Sequence, residues 1–121
     1  MSRLYRDQVT GREKIPVGVV GVGYAGRLHA EKYAASKKAE LVGVADINQE
    51  RALQVGQKLG VLSHTDYREL FGRVRCVSIA VPTRLHYAVS RDFLAAGIDV
   101  LVEKPIAASL EEGSELVTLA R

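Results

Sequence analysis

The chain is poor in the residues that mark a secreted, membrane-bound or metal-dependent protein. Of its 121 residues one is cysteine, three are histidine, three are proline and none is tryptophan. The single Cys76 cannot close an internal disulfide, so a disulfide-stapled scaffold is excluded, and its apolar surroundings suit a small core residue in a reducing compartment. Histidines at positions 29, 64 and 86 are too dispersed to suggest a metal site. No apolar run approaches the roughly 18 residues of a transmembrane helix, and the N-terminus is polar rather than signal-like. We therefore expect a cytoplasmic protein with no membrane partner. Charge of one sign is scarce too: 17 Lys plus Arg against 14 Asp plus Glu leave a net +3. Part of the excess falls at Arg3, Arg6, Arg12 and Lys14, beside Asp7 and Glu13. With no basic block interleaved with aromatics, no nucleic-acid partner is expected. The length suits one domain that buries about two thirds of its unfolded surface.

What is abundant is patterned glycine. Residues 15 to 26 read IPVGVVGVGYAG: a β-branched run leads into Gly21-Val22-Gly23-Tyr24-Ala25-Gly26, and a helical pattern follows. In that context G-x-G-x-x-G has a mechanical meaning. Gly21 permits a tight turn, Gly23 lets a pyrophosphate approach the backbone, and Gly26 lets the helix pack closely on the strand. The helix N-terminus adds unpaired N–H groups and the positive end of its dipole.

The next strand-like run ends in Asp46, 20 residues after Gly26. A carboxylate there, with Ile47 beside it, lies where the adenosine ribose of a dinucleotide belongs, and it can accept from both ribose hydroxyls. The same charge would repel a 2′-phosphate by about 4 kcal/mol at an effective dielectric of 20. Ile47 and Asn48 supply no offsetting cation, and Arg51 stands five residues on, too far along the next helix to be assumed a phosphate clamp. The expected cofactor is NAD rather than NADP.

Strands are expected at about 15–22, 40–45, 61–64, 75–81 and 98–103, and helices at about 24–36, 48–59, 66–72, 84–96 and from 110 onward. Thr65/Asp66 should cap the third helix. Gly60 and Gly97 close the second and fourth. Ser109 with Glu112 reads as a capping box. Alternation with nearly all-apolar strands predicts an α/β doubly wound parallel sheet, a Rossmann domain over 15–121 after a lead-in at 1–14. In such a sheet ligands lie at the C-terminal strand ends. The suggestive groups all fall there: the glycine turn, Asp46, then Pro82, Thr83 and His86, then Glu103, Lys104 and Pro105.

From Ile15 onward the chain resembles the cofactor domain of the glucose-fructose oxidoreductase / inositol dehydrogenase (Gfo/Idh/MocA) family. The resemblance rests on GVGYAGRLHA, Ala45-Asp46, Ala80-Val81-Pro82-Thr83 with His86, and above all Glu103-Lys104-Pro105 in AGIDVLVEKPIA. It implies that Lys104 stands by the nicotinamide and the substrate hydroxyl and assists proton transfer. It implies too that Val81, Pro82, Thr83, His86 and Glu103 line the nicotinamide half of NAD. The wording is similar to that of bacterial nucleotide-sugar members. The family's C-terminal α/β domain, which binds the sugar-type substrate, builds a homo-oligomer and supplies a second proton-handling residue, has no counterpart before Arg121. An end inside a helical pattern suggests a piece of a longer enzyme that alone binds cofactor without turnover.

Independently of family, Pro105 holds Lys104 extended, and a low-dielectric pocket would bring its amine toward a proton-transferring range. Simpler roles stand beside these: a surface lysine, Glu103 as its ion-pair partner, His86 as a packing histidine, His29 as structural, Arg27 as a solvated helix residue. Tyr33-Ala34-Ala35-Ser36-Lys37 matches the Y-x-x-x-K pair of short-chain dehydrogenases but ends the first helix, away from the crevice, and is rejected. A non-catalytic NAD/NADH-binding sensor or scaffold, and an FAD binder, remain as alternatives. The EKP segment disfavours both.

Overall fold

Valines at 17, 19 and 20 favour extended backbone, and they form the central strand of the sheet. In the computed structural model, which describes residues 14–103 and 106–121, β1 is Ile15–Val20 and α1 is Tyr24–Ala35. There follow β2 (Ala39–Ala45), α2 (Gln49–Leu59), β3 (Leu62–His64), β4 (Cys76–Ile79), α3 (His86–Ala95), β5 (Asp99–Val102) and α4 (Leu110–Ala120). The five strands are parallel in the order β3-β2-β1-β4-β5. This is the expected Rossmann arrangement, with its reversal of strand order between β1 and β4. The lead-in at 1–13, Lys104 and Pro105 lie outside the described residues.

The period of two along β1 sends alternate side chains to opposite faces. Val17 and Val19 join Ala30 of α1, Val44 and Val55 of α2 in one buried cluster. Val20 joins Leu70, Ile79, Val89 and Phe93 in the other. Gly18 and Gly43, partners across β1 and β2, leave a slot that Leu70 fills: a Cβ on either would stand 3.0 or 3.2 Å from its methyl carbons.

Sequence limits shift where local chemistry decides. β1 stops at Val20 because Gly21 turns into left-handed backbone at φ +87°. The expected helix at 66–72 is one 3₁₀ turn, Tyr67–Leu70, capped by Asp66 rather than Thr65. So short a segment cannot offset the cost of nucleating an α-helix. The helix expected at 84–96 opens as a separate 3₁₀ turn, Thr83–Leu85, before α3. Asn48 caps α2, and Gly60 closes it at φ +71°. Ser109 accepts from the Glu112 amide, but Glu112 Oε1 is buried without a hydrogen-bond partner, so only half of the capping box forms among the described residues. Cys76 is half-buried, and burial, with the Asp99 carboxylate, pushes its thiol up.

Among the described residues no helix is long and apolar enough to cross a membrane. Among the described residues β5 pairs with β4 alone, and it leaves Leu101 exposed. Hydrogen bonds tie the outer elements: Tyr33 to Ser78, Tyr87 to Glu115, and Tyr67 to Asp92.

Burial, then the hydrogen bond to the Asp92 carboxylate, pushes the Tyr67 phenol up to about 12. The folded chain therefore holds this proton more tightly than the unfolded chain, whose phenol titrates near pH ~10. The stabilisation is complete below that value and lost as pH rises through about 12. An absorbance titration of phenolate should show a late tyrosine that Tyr67→Phe removes.

Candidate functional site

The turn after β1 is shaped by glycines with different obligations. A Cβ on Gly26 would stand 1.6 Å from the Gly21 carbonyl oxygen, and one on Gly21 would stand 2.8 Å from Ala80 backbone. Those two glycines are required by the protein's own packing. Gly23 is not: its Cβ would meet only Arg51 Nη1, at 3.8 Å. The space beside Gly23 is the kind of cradle that a phosphate can enter and a side chain would fill.

Next to it α1 begins without a side-chain cap and with no acidic residue in its first turn. Its first amides, at Tyr24, Ala25 and Gly26, have no intrahelical acceptor. By contrast α2 and α4 each have a polar cap and an acid in the first turn, and α3, which has neither, continues from the 3₁₀ turn at Thr83–Leu85. The α1 terminus therefore keeps its donors and its partial positive charge for something else. The residues present fit a dinucleotide's pyrophosphate.

Asp46 follows β2 and is buried, at 7% exposure. Its Oδ2 accepts from the Val22 amide at 2.9 Å and its Oδ1 from the Asn48 amide at 2.8 Å. Its own amide donates to the His64 carbonyl. One carboxylate thus joins the glycine turn to the start of α2. Each oxygen has a further lone pair for a ribose hydroxyl. Ile47 beside it is exposed.

Arg51 departs from expectation. Its Nη1 lies 3.6 Å from Asp46 Oδ2, so a cation does stand at this strand tip. The physical reason is side-chain direction. Helical side chains lean toward the helix N-terminus. Arg51 is the third residue of α2, so it reaches back over the cap.

After β4, Val81 and Thr83 are half-buried and Pro82 is exposed. His86 is turned inward at 4% exposure, and its Nε2 donates to the Val81 carbonyl at 2.9 Å. A carbonyl can only accept, so the proton is on Nε2. His86 braces the loop that it follows. At the tip of β5, Glu103 is exposed and Oε2 lies 3.7 Å from His29 Nε2 of α1. His29 Nδ1 is buried without a hydrogen-bond partner among the described residues. Lys104, the residue given the proton-transfer role, lies outside the described residues, as does Pro105. The glycine turn, Asp46 with Ile47, the Val81–Thr83 loop and Glu103 all follow the C-terminal ends of parallel strands, on one edge of the sheet.

Three features escaped sequence reasoning: the structural work of Asp46, the back-reach of Arg51, and the His29–Glu103 pair. The second had a readable signal in the third position after a good cap. The third had no signal in the sequence.

A family model described as "Oxidoreductase family, NAD-binding Rossmann fold" matches residues 15–121. The chain is 41% identical over 104 residues to UDP-N-acetylglucosamine 3-dehydrogenase of Acidithiobacillus ferrooxidans, covering 86% of this chain and 33% of that enzyme. The solved structure of that enzyme superposes with a TM-score of 0.85 at 40% identity, over 89% of this chain and 35% of the other. Glucose-6-phosphate 3-dehydrogenase of Bacillus subtilis is 38% identical, over 81% of this chain and 28% of the enzyme. GenD2 from gentamicin A biosynthesis, solved in complex with NAD, gives a TM-score of 0.86 at 32% identity, over 89% of this chain and 32% of GenD2. The chain spans about a third of the length of these relatives.

Asp46→Ala would strip the buried Val22 amide and the part-buried Asn48 amide of their acceptor. Leaving such groups unpaired costs about 1–3 kcal/mol, so chemical denaturation should show a loss of that size even without ligand. Asp46→Asn, which keeps one acceptor oxygen, should lose less.

Proposed function

The chain belongs to the Gfo/Idh/MocA oxidoreductase family, and on that premise we propose that it lays NAD along the C-terminal edge of its sheet. It would serve there as the cofactor half of a dehydrogenase for a secondary hydroxyl of a sugar, cyclitol or nucleotide sugar. The observation that carries this reading is the open space at Gly23 beside the uncapped start of α1, with Asp46 at the neighbouring strand tip.

NAD, when bound, supplies the hydride acceptor. The Tyr24 and Ala25 amides hold the pyrophosphate, with Val22 shaping the turn between Gly21 and Gly26. Asp46 accepts from the ribose hydroxyls, and exposed Ile47 gives the adenosine an apolar edge. Val81, Pro82 and Thr83, braced by His86, form the rim toward the nicotinamide, and Glu103 faces it from the tip of β5. Lys104, matching the family's lysine residue for residue, takes the proton as the alcohol becomes a ketone. The relatives named above support a sugar or nucleotide sugar as substrate. Substrate binding and the second proton-handling group belong to the length of the relatives that this chain does not span. The chain by itself therefore binds cofactor without turnover, in a cytoplasmic setting.

Calorimetry should rank NAD ahead of FAD, and preference for FAD would overturn the reading. Asp46→Asn should weaken NAD by about 1.5–3 kcal/mol, in the range of a hydrogen bond to a charged group. In a chain extended to the relatives' length, Lys104→Ala should lower kcat by about 10²- to 10⁴-fold with little change in NAD affinity. Turnover that survived the substitution would remove Lys104 from the proton path.

A further inference from the structure

Glu103 stands at the tip of β5, one residue before Lys104, with its side chain 69% exposed. A glutamate so placed has many rotamers open to it, and holding one of them costs entropy. The structure gives it a partner from a different element: Oε2 lies 3.7 Å from His29 Nε2 of α1. The two side chains differ in freedom. His29 is only 22% exposed, so the ring is the fixed member of the pair and the carboxylate is the one that is held.

The ring is fixed because its helix is. Gly26, on the turn before, packs so closely on Gly21 and Ala80 that a Cβ there would collide with the Gly21 carbonyl. Ala30, the next residue along, is fully buried. From that platform the side chain of His29 leans toward the start of α1, as helical side chains do, and so toward the ligand edge. The surroundings then decide which nitrogen carries the proton. Nδ1 is buried and has no hydrogen-bond partner among the described residues. A proton on Nδ1 would be an unpaired buried donor, and it would turn the Nε2 lone pair toward a carboxylate. A proton on Nε2 avoids both and points an N–H dipole at Oε2. At 3.7 Å this contact is electrostatic, longer than a hydrogen bond. With one partner exposed it adds little to stability. What it does is select a direction for the carboxylate.

We propose that His29 is a positioning residue: it holds Glu103 against the nicotinamide end of the crevice. The helix whose first amides take the pyrophosphate is thereby tied to the strand tip that faces the nicotinamide. The proposal rests on the reading of this edge as an NAD site. It goes beyond that reading by giving work to a helix side chain otherwise left without any.

The test is calorimetric titration of the chain with NADH and with ADP-ribose, which lacks the nicotinamide. It is repeated for His29→Leu, His29→Gln, Glu103→Ala and the double variant of His29→Leu with Glu103→Ala. His29→Leu, which keeps an apolar group in the packed position, should weaken NADH by about two- to fivefold, the range of a charge pair with one exposed partner. ADP-ribose should bind it unchanged. Glu103→Ala should behave the same way. His29→Gln, whose amide N–H can stand in for Nε2–H, should restore NADH binding. The double variant should lose no more than Glu103→Ala alone, because both substitutions remove one interaction. NMR of the imidazole nitrogens should show the Nε2–H tautomer of His29, with a resonance that Glu103→Ala moves. Equal weakening of both ligands in His29→Leu would overturn the proposal, making His29 only a prop for α1. Additive losses in the double variant would overturn it as well. So would unchanged NADH binding, or an unmoved His29 resonance, in Glu103→Ala, and these two readings stand even where His29→Leu fails to fold. Failure of the unsubstituted chain to bind either ligand would remove the NAD reading, and this proposal with it.

Discussion

A single buried carboxylate organises the ligand edge of this domain. The turn after β1 and the turn after β2 are separate loops with no sequence between them in common. The first by itself would leave the Val22 amide pointing into a buried corner, where an unpaired N–H group is costly. Asp46 takes one donor from each, Val22 and Asn48, and so fixes the two loops relative to each other. The placement of Gly23, of the α1 terminus and of Arg51 follows from that tie. The residue that a sequence reader assigns to ligand recognition is also the one that assembles the place of recognition.

Packing below that edge follows the same economy of parts. The sheet has one small irregularity where β1 meets β2, between Val17 and Gly18. The paired glycines there make room for Leu70, carried in by the 3₁₀ turn that follows β3. Phe93 then sits under Tyr67 and Phe71, with ring centroids 5.5 and 5.1 Å away. The linking segment between β3 and β4 thereby contributes a core residue and an aromatic contact. A surface loop of equal length would have contributed neither.

Much of this was legible in the chain, and the reasons are specific. Glycine announces backbone that other residues avoid, so the turn at Gly21 and the helix end at Gly60 could be read directly. Ser109 sat where a helix cap belongs. All-apolar strands alternating with helices left few topologies besides a parallel, doubly wound sheet. The brief segment at 66–72 was less legible, because its helical pattern is too short to separate one turn from several. The meeting of side chains from different elements was not legible at all. Nothing in the spacing of His29 and Glu103 says that they face each other across α1 and β5. Arg51 was misjudged for a related reason: distance along a helix was counted without the backward lean of its side chains.

The outer strand β5 gives the domain a polarity of its own. It pairs on one side with β4, and no other strand among the described residues pairs with its other side. Its main-chain donors and acceptors there run in one sense, from Asp99 to Val102, so a segment joining in parallel must enter from the end opposite the ligand edge. The helix α4 packs on α3 through Tyr87 and Glu115. A parallel strand added on that flank would therefore bring its own C-terminal end to the same edge of the sheet as the glycine turn and Asp46.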